Sequence, residues 1–265
     1  MTQVCDAKII LLGVCTLVDK KKILNFIGLI SIVIVVLCFS CILVMSFIIT
    51  RRYVSEDYVE LLVNYAYHKF IYTSESIISL VNSIFIILAV IAVFFNFYPK
   101  IKEGTRNWLL LPTFATILGA SLLISLIIIK LKLILITSSD YVTAVEPLKS
   151  QIFALFENRI RYLSIFQVIA YLLLFTVGTG VFGILSFKYQ LTKETSTWLA
   201  IGTAILGLGE LGVFIPSGFG SVLIFMASIA SILYFFWYFS IIFVIRQNMK
   251  EDSFVKNETV EKLAS

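Results

Sequence analysis

Glu210 is the side chain best placed for chemistry, because it is an acidic group inside a long apolar run. At about 1.5 Å of helix rise per residue it lies about 18 Å from Trp198, at a depth where an acidic residue costs roughly 2.5–3.5 kcal/mol. Such a group must face a bundle interior, take a proton or find a cation. Lys130 and Lys132 are candidate cations, unless their stems carry them outward to headgroups. Two roles stay open for Glu210: ion or substrate coupling in transport, and a structural hydrogen bond or dimer contact.

The remaining reactive residue types exclude more than they offer. His68 is the single histidine, so haem, copper and most zinc sites, which need clustered ligands, have no ligand set here. Cys38-x-x-Cys41 has redox spacing but sits in an apolar run, where cysteine serves as a small hydrophobe. Gly178-x-Gly180-x-x-Gly183 matches a dinucleotide fingerprint without the strand it needs. In an apolar helix these glycines, with Gly207, read instead as positions of close helix packing. No phosphate-binding loop of the G-x-x-x-x-G-K-S/T type occurs, nor any nucleophile–base or paired-carboxylate constellation, so neither an enzyme nor a cofactor is expected.

The elements that must position these residues are membrane helices. Of the 265 residues 60% are hydrophobic and 14% charged, and the mean hydropathy is +1.01. A soluble domain is nearer 25% charged. Six apolar runs, uncharged but for Glu210 in the fifth, are long enough to cross a bilayer: 23–50, 77–98, 108–129, 162–187, 198–215 and 221–245. Their length and lack of alternation predict an all-α, polytopic integral membrane protein with interfacial helices. The expected divisions are a cytoplasmic or interfacial segment over 1–22, a six-helix membrane domain over 23–245 and a polar, mobile cytoplasmic tail over 246–265.

Lysines and arginines near the span ends favour both termini on the cytoplasmic side of a cell membrane. The run Ile9 to Val18 is too short to span and reads as an interfacial helix. Residues 51–76 and 137–160 form longer excursions on the opposite side, each with room for a helix lying flat on the membrane. In the first, Ser55 is a candidate cap and Tyr58, Leu62 and Tyr65 share a face; in the second, Pro147 opens a helix with Leu148, Ile152, Leu155 and Phe156 on one stripe. The run Tyr234-Phe235-Phe236-Trp237-Tyr238-Phe239 reads as an interfacial aromatic belt, with a wall for an aromatic or cationic substrate as the alternative. The net charge of +5 is distributed as topology signals and gives no basic stripe for nucleic acid.

Between the second and third spans stands Phe97-Tyr98-Pro99-Lys100-Ile101-Lys102-Glu103-Gly104-Thr105-Arg106-Asn107-Trp108-Leu109-Leu110-Leu111-Pro112. This charged stretch, followed by a Leu-rich turn and Pro, resembles the cytoplasmic connector of permease subunits of type-two ABC exporters. Lys102, Glu103, Gly104, Thr105 and the Leu109 to Pro112 run are the matching positions. The resemblance implies that Lys102, Glu103, Gly104, Thr105 and Arg106 form a coupling helix docking on a separate ATPase subunit. Glu103 abuts Gly104 directly, no basic pair follows Pro112, and the turn at 216–220 is short for the re-entrant helices these permeases often carry.

The expected function is therefore the permease subunit of an ATP-driven transporter for an apolar or amphipathic substrate, working in the lipid bilayer as a homo- or hetero-oligomer. The alternative is a non-transporting subunit that assembles with other membrane subunits into a larger complex.

Overall fold

Apolar runs fold as helices because backbone amides and carbonyls shielded from water must bond within their own segment. A computed structural model describes residues 23–45, 58–215 and 218–264 of the chain, with side chains through residue 248. Among them there is no strand. The helices are α1 (Ile23–Met45), α2 (Tyr58–Tyr67), α3 (Lys69–Phe97), α4 (Leu110–Lys132), α5 (Ser138–Thr143), α6 (Leu148–Tyr171), α7 (Gly180–Tyr189), α8 (Glu194–Gly207) and α9 (Gly218–Ala264). Short 3-10 segments cover Tyr98–Lys100, Glu103–Leu109 and Leu208–Phe214. Two π-helical stretches, Leu133–Thr137 and Leu172–Thr179, join α4 to α5 and α6 to α7 without a break.

Among the described residues six continuous helical stretches are long and apolar enough to cross a membrane: Ile23–Met45, Lys69–Lys100, Glu103–Thr143, Leu148–Tyr189, Glu194–Phe214 and Gly218–Asn248. The chain is an all-α, multi-pass membrane protein. Packing runs α3 on α4, α4 on α6 and the π-stretch that follows it, α7 on α8, and α8 on α9. Helix α1 closes the ring, with Gly28 against Ala92 of α3 and Phe39 stacked on Phe235 of α9 at 5.8 Å.

The structure corrects the flat outer helices. Spans three and four run uninterrupted for 41 and 42 residues, about 60 Å at 1.5 Å per residue, against a hydrocarbon core of about 30 Å. Their surplus projects as a hairpin at the end of the bundle opposite residues 98–109. Helix α2 leans on that hairpin, and together they form a head around Leu62, Tyr65, Tyr72, Leu133, Ile134, Tyr141 and Phe156. The shared face of α2 holds, with Leu62 and Tyr65 buried. On α6 only Phe156 of the expected stripe is fully buried, while Leu148 and Leu155 are exposed, because the helix stands up beside α4 instead of lying on a surface. Pro147 does precede its first turn.

Two further expectations change. The polar segment after Ile245 continues α9 as helix to Ala264. The aromatic run is core as much as belt: Tyr234, Trp237 and Tyr238 are buried against Phe175 and Phe182, and only Phe236 and Phe239 are exposed. The i, i+3, i+4 spacing of the buried three puts them on one inward face. The Ile9 to Val18 segment and Ser55 lie outside the described residues.

Candidate functional site: a cavity under the head

The head roofs a cavity of about 270 Å³ whose walls come from four helices. From α4 it takes Leu123, Leu126, Ile127 and Lys130, and from α6 Ile160, Leu163, Ser164, Gln167 and Tyr171. Both sets follow the i, i+3, i+4, i+7 spacing of a single helix face. Helix α3 contributes Glu75 and Ser79, and α2 contributes Leu61 and Tyr65.

Its centre is an ion pair: Lys130 Nζ donates to Glu75 Oε2 at 2.6 Å. The Glu75 side chain is 15% exposed and that of Lys130 31%. Glu75 lies about 33 Å along α3 from Phe97 and Lys130 about 30 Å along α4 from Leu110, so both charges reach the far boundary between hydrocarbon and headgroups. Leu123 lies about 10 Å deeper on the same α4 face. The cavity is therefore charged at headgroup level; below that its α4 wall is apolar, while Ser79, Ser164 and Gln167 make the α3 and α6 walls partly polar.

The surrounding bonds hold this arrangement. Lys69, at the start of α3, donates to the Leu135 carbonyl at 2.8 Å and to Ser139 Oγ at 3.1 Å, serving a backbone group of the π-stretch. Burial pushes the Tyr65 hydroxyl up from its ordinary value of 10.0; Glu75 adds to the shift and Lys130 opposes it. Tyr65 packs edge-on to Tyr72 at 4.6 Å and to Phe156 at 6.1 Å. Below Glu75 a polar stripe descends α3 through Ser79 to Asn82, which is buried with its Oδ1 unbonded.

No protein-family model, curated protein or solved structure matches this chain. The site therefore rests on its geometry.

Lys130 was expected as a partner of Glu210 or as a residue reaching outward; it is bonded to Glu75 instead. Glu210 itself sits in the 3-10 segment after α8. With a rise of about 2.0 Å per residue there, it lies about 8 Å from the end of the span at Phe214, toward the head rather than at mid-membrane. Among the described residues no hydrogen bond or ion pair reaches its carboxylate.

The glycines lie at close approaches. A Cβ on Gly178 would collide with Thr116 of α4, one on Gly180 would stand 2.7 Å from Ala204, one on Gly183 3.0 Å from Ala200, and one on Gly207 2.7 Å from Phe175. They form a seam joining the fourth span to the third and fifth. Cys38 and Cys41 are both free thiols on α1.

The connector residues gather at the opposite end of the bundle. Lys102 precedes, and Glu103 to Arg106 open, the 3-10 segment Glu103–Leu109. Arg106 ties it inward, donating to the Ile101 carbonyl at 3.0 Å and lying 5.1 Å from the Tyr98 ring centre. Tyr189 at the end of α7 donates to Thr105 Oγ1 at 2.6 Å, and Lys100 donates to Asn248 of α9 at 2.8 Å. Lys102, Glu103, Gly104 and Trp108 remain exposed, and nothing lies within 4 Å of a Cβ on Gly104.

Glu75, Gln167 and Tyr171 escaped the sequence reading, which took Tyr65 only as part of an interfacial helix face. A search for uncharged runs stops at Glu75 and starts the second span at Ile77. The signal that would have found the site is the polar stripe Glu75, Ser79, Asn82, recurring at helical spacing into an otherwise apolar helix.

Proposed function

We propose that this chain is the permease subunit of an ATP-driven transporter for an amphipathic substrate, with hydrolysis carried out by a separate chain. The head then faces away from the cytoplasm, and the lysine and arginine bias of the loops supports that orientation. The observation that carries the reading is the head cavity, whose ion pair stands at headgroup depth above an apolar wall. That gradient matches an amphiphile entering from the outer leaflet or leaving toward it. At the other end, a rigidly anchored 3-10 turn exposing Lys102, Glu103 and Trp108 supports a docking role for residues 98–109.

Purification of the full chain in mild detergent, with mass spectrometry of co-purifying chains, tests this. Lys102→Glu combined with Gly104→Leu alters the exposed face and leaves the Tyr189–Thr105 and Arg106–Ile101 hydrogen bonds and the Arg106–Glu103 ion pair in place. A P-loop ATPase that is retained by wild type and lost from the variant is the expected result. Recovery of other membrane subunits only, unaffected by the substitutions, replaces the transporter with an assembly subunit.

A further inference from the structure

Among the described residues, Glu75 and Lys130 are the only charged ones lining the head cavity. This constrains what the cavity can accept. A cationic ligand that pairs with Glu75 strands Lys130, and an anionic ligand that pairs with Lys130 strands Glu75; either leaves a partly buried charge uncompensated. A ligand with both charges replaces the internal pair by two new ones and strands neither. The four-carbon stem of Lys130 lets its ammonium withdraw without any helix moving.

We infer that the cavity is a binding site for a zwitterion carrying a cationic nitrogen and an anionic group a few ångströms apart, the nitrogen at Glu75 and the anion at Lys130. Tyr65 and Tyr171, which also line the cavity, supply aromatic rings of the kind that accept quaternary ammonium. The volume of about 270 Å³ lies just below the usual range for ligand pockets and suits a phosphocholine-sized headgroup or a free amino acid, not an entire phospholipid. Leu123, Leu126 and Ile127 below the charges accept the methylenes adjoining such a group. The inference rests on reading this cavity as a ligand site, but not on transport or on an ATPase.

The test is equilibrium binding of labelled probes to the full-length chain in neutral maltoside micelles. The zwitterionic probes are lysophosphatidylcholine, representing a lipid headgroup, and glycine betaine, representing a soluble source. Lysophosphatidic acid and an alkyltrimethylammonium of matched chain length are the anionic and cationic controls. At least one zwitterion should bind about tenfold or more tighter than both controls, the ratio expected from stranding a partly exposed charge. Binding of lysophosphatidylcholine alone assigns a lipid headgroup, and binding of betaine alone a soluble zwitterion.

Glu75→Gln should turn the preference toward the anion and Lys130→Gln toward the cation. The charge-exchanged Glu75→Lys/Lys130→Glu chain should keep the zwitterion, and Glu75→Gln/Lys130→Gln should lose all discrimination. These two double variants leave no net unpaired charge, so they carry the test if a single variant fails to fold. Equal affinity for all charge classes in wild type, no binding of either zwitterion, or a preference that survives in folded Glu75→Gln/Lys130→Gln overturns the inference. None of these outcomes bears on recovery of the ATPase, so the two proposals fail separately.

Discussion

A single methyl group added at Gly178 should separate two membrane helices. A Cβ there collides with Thr116 Oγ1 and stands 3.0 Å from the Leu173 carbonyl oxygen. Thr116 cannot turn aside at no cost, because it is 3% exposed and its hydroxyl donates to the Pro112 carbonyl at 2.8 Å. Gly178→Ala must therefore part α4 from the π-stretch, an overpacking cost of about 1–3 kcal/mol. Thr116→Ala removes the colliding oxygen and one hydrogen bond, worth about 0.5–1.5 kcal/mol. If the clash is the cause, the double variant should be more stable than the sum of the single losses predicts, with a coupling of about 0.5–3 kcal/mol. Reversible unfolding in mixed micelles, followed by loss of helical circular dichroism, measures all four corners of the cycle. Strict additivity, or a cost for Gly178→Ala alone below about 0.5 kcal/mol, would refute the packing argument.

Three other outcomes are expected. Tyr189→Phe removes the 2.6 Å bond to Thr105 and should cost about 0.5–1.5 kcal/mol, read as faster hydrogen exchange over residues 98–109 with the head unchanged. Asn96→Leu strands the buried Asn25, whose Oδ1 accepts from Asn96 Nδ2 at 2.8 Å; a loss of about 0.6–1.7 kcal/mol should be largely recovered in Asn25→Leu/Asn96→Leu, and no recovery would contradict the pairing. Tyr65 is raised above 10.0 chiefly by burial, so the folded state favours its neutral form. Its contribution to stability is full below pH 10 and is lost as pH rises above that value. Stability measured against pH should fall less steeply above pH 10 in Tyr65→Phe than in wild type.

The membrane fold is legible in the sequence because one quantity, uncharged length, decides it. What that quantity hides is instructive. Bounding the second and third spans at their first charge places Glu75 in a loop and Lys130 at a span end, although the two are bonded. Nothing local joins residues 55 positions apart, and only packing of α3 on α4 brings them together. Helix continuity past the apolar run was equally hidden, since the surplus of α4 and α6 is stabilised by contacts with α2 that no single segment encodes. Buried Tyr234, Trp237 and Tyr238 show why composition alone misreads aromatics: a belt and a core use the same residues, and helical phase separates them. The glycines were legible because small residues in a membrane helix have few other uses.

Helix α4 begins directly after the connector turn and carries Lys130 at its far end. Between Leu110 and Lys130 it is an unbroken rod of about 30 Å. A lever of that length multiplies small rotations: a tilt of about 10° about Leu110 swings Lys130 through about 5 Å. That arc is nearly twice the 2.6 Å separating Lys130 from Glu75, so the pair at one end of α4 is geometrically sensitive to the angle the helix takes at the other.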